Sequence, residues 1–124
     1  GDKDFKVIGN LDKKEEKAIE IIRKNVFARF GSTGVQECIN KAVFDILGKI
    51  VVYPVEDENK FSDKHGNVLP DAFLLDKGST PRDLAFKIHT EIGEKFIGAI
   101  DARTKRKIAS DKPLENGAII KILT

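Results

Sequence analysis

The feature that most constrains the fold is the start of a helix at Thr80. Thr80 is a favoured N-cap residue, Pro81 suits the first helical position, and Asp83 stands where a capping box needs an acidic side chain. The apolar residues that follow at helical spacing on one face are Leu84, Ala85, Ile88 and Ile92. Gly93 is placed to end the segment. The sequence therefore predicts a helix over residues 81–92 with one face buried.

Short apolar runs on both sides of this helix predict that it packs on a sheet. Residues 68–75 precede it, residues 96–101 follow it, and residues 50–53 are β-branched and aromatic. A short segment at 107–109 and a near-continuous apolar run at 118–123 complete the pattern, and the last run is typical of a central strand. The order β-β-α-β-β-β is that of a β-grasp (ubiquitin-like) fold, in which the last strand lies beside the first.

Two helical patterns occupy the chain before the first strand. Residues 12–30 end at Gly31 and carry an apolar stripe of Ile19, Ile22, Val26 and Phe30. Thr33 and Gln36 predict a second capping box, and Gly48 is placed to end the helix that this box begins. The predicted buried stripe of the second helix comprises Val35, Ile39, Ala42, Val43 and Ile46. A connection this short between two helices predicts a helical hairpin or corner.

The fold class predicted is therefore α+β, with an α-helical hairpin over residues 1–48 and a β-grasp domain over residues 49–124. The chain contains no methionine and opens on polar residues, so we expect it to be a piece of a longer protein. Its single cysteine, Cys38, excludes an internal disulfide and suits a reducing cytosol. No apolar run approaches the roughly 18–20 residues that a membrane span needs. We expect a cytoplasmic protein with no membrane partner.

The balance of charge excludes a strongly basic nucleic-acid-binding protein. The chain has 22 basic and 20 acidic residues, which gives a net charge of +2. Its isoelectric point of about 8.6 lies below the value of roughly 9 that dedicated nucleic-acid-binding domains usually exceed. Any contact with nucleic acid must therefore come from a local patch of the surface.

No catalytic or metal-binding site is predicted in this chain. The sequence contains neither a Gly-x-x-x-x-Gly-Lys-Ser/Thr loop nor an Asn-Lys-x-Asp motif, so residues 31–34 are interpreted as a capped turn between helices. Cys38 lies beside an apolar stripe, where packing is a commoner role than nucleophilic catalysis. The acidic residues 56–58 could hold a cation but are more often a solvated loop. We expect no cofactor, no metal and no enzymatic activity in this chain.

Two surface features are candidates for binding. On the predicted helix, Arg82, Phe86 and His89 form a second stripe that faces away from the sheet, where the ring could stack a base beside a phosphate contact. The alternative is that Phe86 packs against the N-terminal helices while His89 is hydrogen-bonded locally, and the two interpretations do not exclude each other. The second feature is a basic turn, which is either a phosphate contact or a solvated turn. It comprises Arg103, Lys105, Arg106 and Lys107.

Four motifs together resemble a known family. Residues 77–90 (KGSTPRDLAFKIHT) resemble the signature of the TGS domain, a small β-grasp module of threonyl-tRNA synthetases, Obg-related GTPases and (p)ppGpp synthetases/hydrolases. Residues 31–37 (GSTGVQE), 52–60 (VYPVEDENK) and 66–70 (GNVLP) resemble the C-terminal part of a YchF/Obg-type GTPase of the archaeal and eukaryotic branch. The resemblance is looser over the N-terminal quarter of the chain.

This resemblance implies that the chain itself does not catalyse a reaction. In such a GTPase the nucleotide domain, with GTP and Mg²⁺, would lie in residues that this chain lacks. In the (p)ppGpp enzymes the TGS domain meets the 3′ CCA end of tRNA, and the histidine of an Ile-His motif belongs to the contact surface. His89, which follows Ile88, occupies that position here.

We therefore expect a non-catalytic TGS module of an Obg/YchF-like GTP-binding protein, which binds RNA or the ribosome and couples it to the GTPase domain. The partners implied are tRNA or rRNA and the protein's own G domain in cis. The alternative is a ubiquitin-like protein-interaction or regulatory module, which would act through the exposed face of the sheet without RNA. An independent small enzyme would need a pocket of converging polar groups, which the sequence does not predict.

Overall fold

The computed structural model describes residues 3–124, which form two compact units. The first unit extends to Leu47 and is helical, and the second begins at Gly48 and contains a sheet with its own core. None of the helices in the described range is both long enough and apolar enough to cross a membrane.

The first helical segment starts at a capping box that Asp12 and Glu15 form. The Asp12 carboxylate accepts hydrogen bonds from two backbone N–H groups of the first turn at 2.7 and 2.8 Å, and the Glu15 carboxylate accepts one from Asp12 N at 2.9 Å. The segment comprises α1 (Lys13–Ile22), a π-helical turn (Arg23–Phe27) and α2 (Ala28–Phe30). Gly31 ends it with a φ of +75°. The predicted helix over 12–30 is confirmed, and the π-helical turn is an addition.

The second helical segment begins differently from the prediction. It comprises α3 (Val35–Asn40) and a π-helical turn (Lys41–Ile46). Its N-cap is Gly34 with a φ of +76°, no side chain caps the helix, and the Gly34 N–H donates to Ser32 Oγ at 3.1 Å. The predicted capping box of Thr33 and Gln36 is therefore wrong. Because glycine adopts the left-handed conformation without steric cost, the helix starts after Gly34 instead.

The apolar stripes of these helices are mostly exposed. The exposed members are Ile22, Phe30, Val35, Ile39 and Ile46, and the half-buried ones are Ile19, Val26, Ala42 and Val43. No residue between positions 3 and 47 is fully buried. The prediction that the stripe of the second helix is buried is wrong, because the helices of this unit supply too little surface to cover it. Cys38 is exposed as well, so its predicted packing role is wrong.

The second unit is built on a five-stranded sheet with the strand order β2-β1-β5-β3-β4. The strands are β1 (Lys49–Val55), β2 (Phe73–Asp76), β3 (Gly98–Asp101), β4 (Arg106–Ile108) and β5 (Ala118–Leu123). Strands β1 and β5 pair in parallel at the centre, with Tyr53 opposite Ile119, and the other strand pairs are antiparallel. The predicted α+β class and β-grasp sheet are confirmed, including the position of the last strand beside the first.

Helix α4 (Pro81–Ile88) packs on one face of the sheet and supplies the centre of the core. Leu84 is fully buried and clusters with Val52 and Ile120 of the two central strands. The predicted capping box is present, since Thr80 Oγ1 accepts from Asp83 N at 3.3 Å and the Asp83 carboxylate accepts from Thr80 N at 2.8 Å. Burial of the aliphatic side chains on this face is the main stabilising contribution of the helix.

The predicted single helix over 81–92 is wrong beyond its second turn. Helix α4 ends at Ile88, the chain is extended at His89, and a separate short helix α5 (Thr90–Glu94) follows. Gly93 lies inside α5 and does not end a helix at its own position. The apolar spacing of Ile88 and Ile92 continues across the break, so periodicity alone does not reveal it.

The segment between β1 and β2 is a long loop that covers part of the other face of the sheet. Its side chains Phe61 and Leu69 pack on a second buried cluster of Val55, Ala102 and Ile119. Only residues 73–76 form a strand, so the prediction of a strand over 68–75 is wrong for its first half. Leu69 adopts a left-handed φ of +43°, and Pro70 has no N–H with which to pair a neighbouring strand.

Candidate functional site

His89 joins the two short helices of the β-grasp unit. Its backbone N–H donates to Ala85 O at 3.1 Å and closes α4, while its side-chain Nδ1 accepts a hydrogen bond from Glu91 N at 3.2 Å and caps α5. Gly93 N in turn donates to His89 O at 3.1 Å. The predicted local hydrogen bonding of His89 is confirmed. Since Nδ1 is the acceptor, the proton of the neutral imidazole is assigned to Nε2 on the opposite side of the ring.

Phe86 lies against the backbone of α5 at Gly93. A Cβ atom placed on Gly93 would overlap the Phe86 ring, so no other residue type leaves room for the ring in this position. The Phe86 side chain is nevertheless 43% exposed. The ring is therefore supported on one side by protein and open to solvent on another, and Gly93 is a site residue that the sequence alone did not indicate.

Arg82 stands on the same side of α4 as Phe86. Its guanidinium carbon lies 6.0 Å from the centroid of the Phe86 ring, at the outer limit of a cation–π contact. Arg82, Phe86 and His89 are all exposed. The structure thus keeps the three predicted residues in one short stretch, but His89 is reached through the break between α4 and α5 and not along a continuous helical stripe.

Asp83 fixes the start of the helix that carries these residues. Its carboxylate accepts hydrogen bonds from the backbone N–H and the hydroxyl group of Thr80, each at 2.8 Å. These two hydrogen bonds hold the pKa of Asp83 below its ordinary value. The charged carboxylate also interacts favourably with the positive end of the α4 dipole.

The basic turn is shaped by Asp101 at the end of β3. The Asp101 carboxylate accepts hydrogen bonds from Arg103 N at 2.8 Å and Thr104 N at 3.2 Å, and Lys105 takes a left-handed φ of +58°. The Lys105 ammonium group donates to the side-chain oxygen of Asn59 in the β1–β2 loop. The turn therefore directs Lys105 away from the other cations that the sequence grouped with it.

A cavity of about 540 Å³ lies beside this turn, between β4 and the loop that leads to β5. Arg103, Arg106 and Lys112 line it, and Arg103 Nη2 donates to Gly117 O at 3.3 Å across it. Lys107 also borders the cavity, although side chains alternate along a strand and its own is directed to the opposite face from that of Arg106. Lys112 was not predicted as a site residue, because only the fold brings its loop beside the turn.

The acidic residues 56–58 do not converge on one point. The Glu58 carboxylate pairs with the ammonium group of Lys121, and Asp57 accepts hydrogen bonds from Asn59 N at 2.7 Å and Lys60 N at 3.2 Å. The hydrogen bond from Lys121 lowers the pKa of Glu58, and that from Asn59 N lowers the pKa of Asp57. Within residues 3–124, no group of three or more His, Cys, Asp or Glu side chains could hold a metal ion.

Comparison with known protein families matches both parts of the chain. Residues 1–57 match the G4 motif-containing domain of the YGR210-like, Obg-like GTPases, and residues 65–124 match the TGS domain. The chain nevertheless contains no Asn-Lys-x-Asp motif and no glycine-rich loop with a lysine for phosphate.

The chain also resembles individual GTP-binding proteins and a (p)ppGpp enzyme. The chain is 58% identical to a GTP-binding protein of Methanocaldococcus jannaschii, over 98% of this chain and 31% of that protein. The crystal structure of a GTP-binding protein from Pyrococcus horikoshii matches with a TM-score of 0.75 and 55% identity, over 86% of this chain and 30% of that one. A bifunctional (p)ppGpp synthase/hydrolase of Mycobacterium tuberculosis is 41% identical over 54 residues, which are 44% of this chain and 7% of that protein. The chain spans about a third of the length of the two GTP-binding proteins.

Proposed function

Because this chain joins the G4 motif-containing domain of YGR210-like GTPases to a TGS domain and so belongs to the Obg-like GTP-binding proteins, we propose that it is their non-catalytic RNA-binding module. Its ligand would be an unpaired segment of tRNA or rRNA, free or on the ribosome. The module would act in the cytoplasm, and its own G domain in cis would be a partner. That G domain would bind GTP and Mg²⁺. Binding of RNA to this module would be coupled to the GTPase domain.

The observation that carries this proposal is the support of Phe86 by Gly93. The Phe86 ring is 43% exposed, and the backbone of Gly93 beneath it carries no side chain, so one face of the ring is supported while the ring stays accessible to a ligand. Aromatic rings held in this way stack unpaired bases, with about 1–3 kcal/mol per base lost when the ring is removed. The platform formed by Arg82, Phe86 and His89 thus suits a single-stranded RNA end better than a paired helix.

The groups around the ring have complementary tasks in this proposal. Arg82 beside the ring supplies a charged donor for a phosphate oxygen, and the Nε2–H of His89 supplies a neutral donor for a base or a ribose hydroxyl. The basic turn would add phosphate contacts through Arg103, Lys105, Arg106 and Lys107. Such phosphate contacts fix the position of the RNA strand, and stacking on Phe86 selects for an unpaired base.

The test is an NMR titration of the ¹⁵N-labelled 124-residue chain with an RNA that mimics the acceptor end of tRNA, at low and moderate salt. We expect amide shifts at residues 82–93 and 103–107 that fade as salt rises, because phosphate contacts release counterions. The variant Phe86→Leu should lose the shifts at 82–93 while it keeps the folded spectrum, and Lys14→Ala on the first helix is the matched control. An unchanged spectrum at low salt would contradict RNA binding.

The second candidate function is protein binding through the open part of the sheet. Leu74 at the β2 edge is 50% exposed, and its neighbour Val51 is only half-buried. Ile97, just before β3, is 79% exposed. Binding to an apolar protein surface would persist at moderate salt, whereas phosphate contacts would weaken. A partner that shifts Val51 and Leu74, without any effect of RNA, would favour this function.

A further inference from the structure

We propose that the cavity beside the β3–β4 turn is a binding site for the phosphate group of a single nucleotide. The inference extends the proposed function, in which Arg103 and Arg106 already contact RNA phosphates, but the cavity can hold its ligand whether or not RNA is bound at Phe86. Its volume of about 540 Å³ lies within the range of roughly 300–1,000 Å³ that is usual for small-molecule sites.

The charge of the cavity favours an anion. Arg103, Arg106 and Lys112 line it, and none of the three makes an ion pair among the residues that the structure describes. The carboxylates nearby are those of Asp101 and Glu115. Asp101 is already engaged, since it accepts two backbone hydrogen bonds within the turn. The cationic side chains of the lining still outnumber its two carboxylates, and the resulting net positive charge attracts a phosphate dianion.

Arg103 is held in position before any ligand arrives. Its backbone is fixed by the Asp101 carboxylate, and its guanidinium group donates to Gly117 O at 3.3 Å on the opposite wall. A guanidinium group has five N–H donors in one plane, so the remaining donors are available to two oxygens of a phosphate. A side chain that is already ordered loses less conformational entropy on binding.

The wall behind these cations is apolar. Ile108 shares the face of Arg106 on β4, and Pro113 with the buried Leu114 closes the cavity from the loop side. A phosphate alone gains nothing from such a wall, whereas the sugar or base attached to a phosphate can pack against it. The site therefore fits a nucleotide better than inorganic phosphate, and that nucleotide is either free or the end of an RNA strand.

The first experiment titrates the labelled 124-residue chain with adenosine 5′-monophosphate, adenosine and inorganic phosphate in parallel. We expect shifts at residues 103–117 with the monophosphate, weaker ones with inorganic phosphate, and none with adenosine at the same concentration. Arg106→Ala and Lys112→Ala should each weaken binding about tenfold, as expected for loss of one charged hydrogen bond. Lys64→Ala is the control, because it removes an exposed cation of the β1–β2 loop that does not line the cavity. Absence of monophosphate shifts, or an equal loss with Lys64→Ala, would overturn the inference.

The second experiment distinguishes the two sources and separates this site from the Phe86 platform. If a single-stranded RNA competes with the monophosphate, and Arg106→Ala lowers the salt dependence of its binding by about one phosphate contact, the ligand is an RNA end. If the monophosphate shifts the cavity and RNA shifts nothing, the ligand is a free nucleotide and the proposed RNA-binding function fails. If RNA shifts 82–93 while neither ligand shifts 103–117, RNA binding at the Phe86 platform stands, the phosphate contacts of the basic turn fail, and the cavity site is refuted.

Discussion

At the scale of the residue, Gly93 decides where the Phe86 ring can lie. Its φ is not in the left-handed region, so Gly93→Ala is compatible with the backbone, and alanine gains about 1 kcal/mol of helix propensity. The new methyl group would displace the ring, which costs packing contacts. We expect the free energy of unfolding to fall by about 1–3 kcal/mol, because the methyl group would overlap the Phe86 ring and force it out of its place, while affinity for single-stranded RNA falls by about 1–3 kcal/mol. Urea unfolding and the RNA titration measure the two quantities.

The matched control for Gly93→Ala is Gly98→Ala in β3. A Cβ atom at Gly98 would lie 3.9 Å from Leu123 Cδ1, which is ordinary van der Waals contact, and it would not approach Phe86. RNA affinity should be unchanged in this variant. A Gly93→Ala protein that binds RNA as tightly as the parent would show that the position of the ring is irrelevant to binding.

Asp83 makes the stability of the β-grasp unit depend on pH. Hydrogen bonds from the Thr80 N–H and hydroxyl group lower the pKa of Asp83 in the folded state from the ordinary value of 3.8. The unfolded chain then binds more protons than the folded one, so stability rises with pH. The contribution is complete above the ordinary value and is lost as the pH falls through the folded-state pKa.

The corresponding measurement compares urea unfolding of the parent and Asp83→Asn from about pH 5 downward. We expect the parent to lose more stability on acidification than the variant, so that the difference between them shrinks at low pH. The control variant is Asp71→Asn, which removes one exposed carboxylate before β2 and leaves the cap of α4 intact. Parallel curves for the parent and Asp83→Asn would contradict the role of the charged cap.

At the scale of the element, His89 couples the end of α4 to the start of α5. Removal of the cap by His89→Ala should destabilise the unit by about 1 kcal/mol, whereas asparagine is itself a favoured N-cap residue, so His89→Asn should retain most of that stability. Both variants lose the imidazole, so both should bind RNA more weakly than the parent. Equal unfolding free energies for His89→Ala and His89→Asn would show that the hydrogen bond to Glu91 N does not hold α5.

The same junction shows which parts of the fold the sequence predicts. The start of α4 is encoded locally by Thr80, Pro81 and Asp83, and the prediction is confirmed in detail. The end of α4 is not encoded locally, because no proline or glycine stands at His89 and the apolar spacing continues to Ile92. The break accompanies the packing of the Phe86 ring over Gly93, two residues that a continuous helix would keep two turns apart.

The candidate site, too, is predicted by the sequence only in part. The sequence groups Arg103, Lys105 and Arg106 because they are neighbours in the chain. The left-handed φ of Lys105 separates it from the others, and the loop before β5 brings in Lys112. Composition predicts that a basic turn exists, but the direction of each side chain depends on backbone conformation and on contacts between distant segments such as Arg103 and Gly117.

At the scale of the whole molecule, the two units differ in what stabilises them. Both buried clusters draw all their members from residues 50–122, whereas no residue between 3 and 47 is fully buried. Helices of this length are marginal in water unless an apolar face is packed. The stripe that includes Ile22 and Ile39 is therefore an exposed apolar surface that contributes little to the stability of this unit.

This difference predicts separate behaviour when the chain is divided at Gly48. Residues 48–124 alone should unfold cooperatively in urea, since every buried apolar side chain of the core is present. Their amide NMR spectrum should match that of the same residues in the whole chain. Residues 1–47 alone should show weak helical circular dichroism that fades gradually on heating, because propensity and the Asp12 cap are their main support. A cooperative transition in the 1–47 fragment would mean that its stripes pack on each other after all. In that case the exposed apolar surface would not be available to a G domain, and the proposed coupling in cis would need another contact.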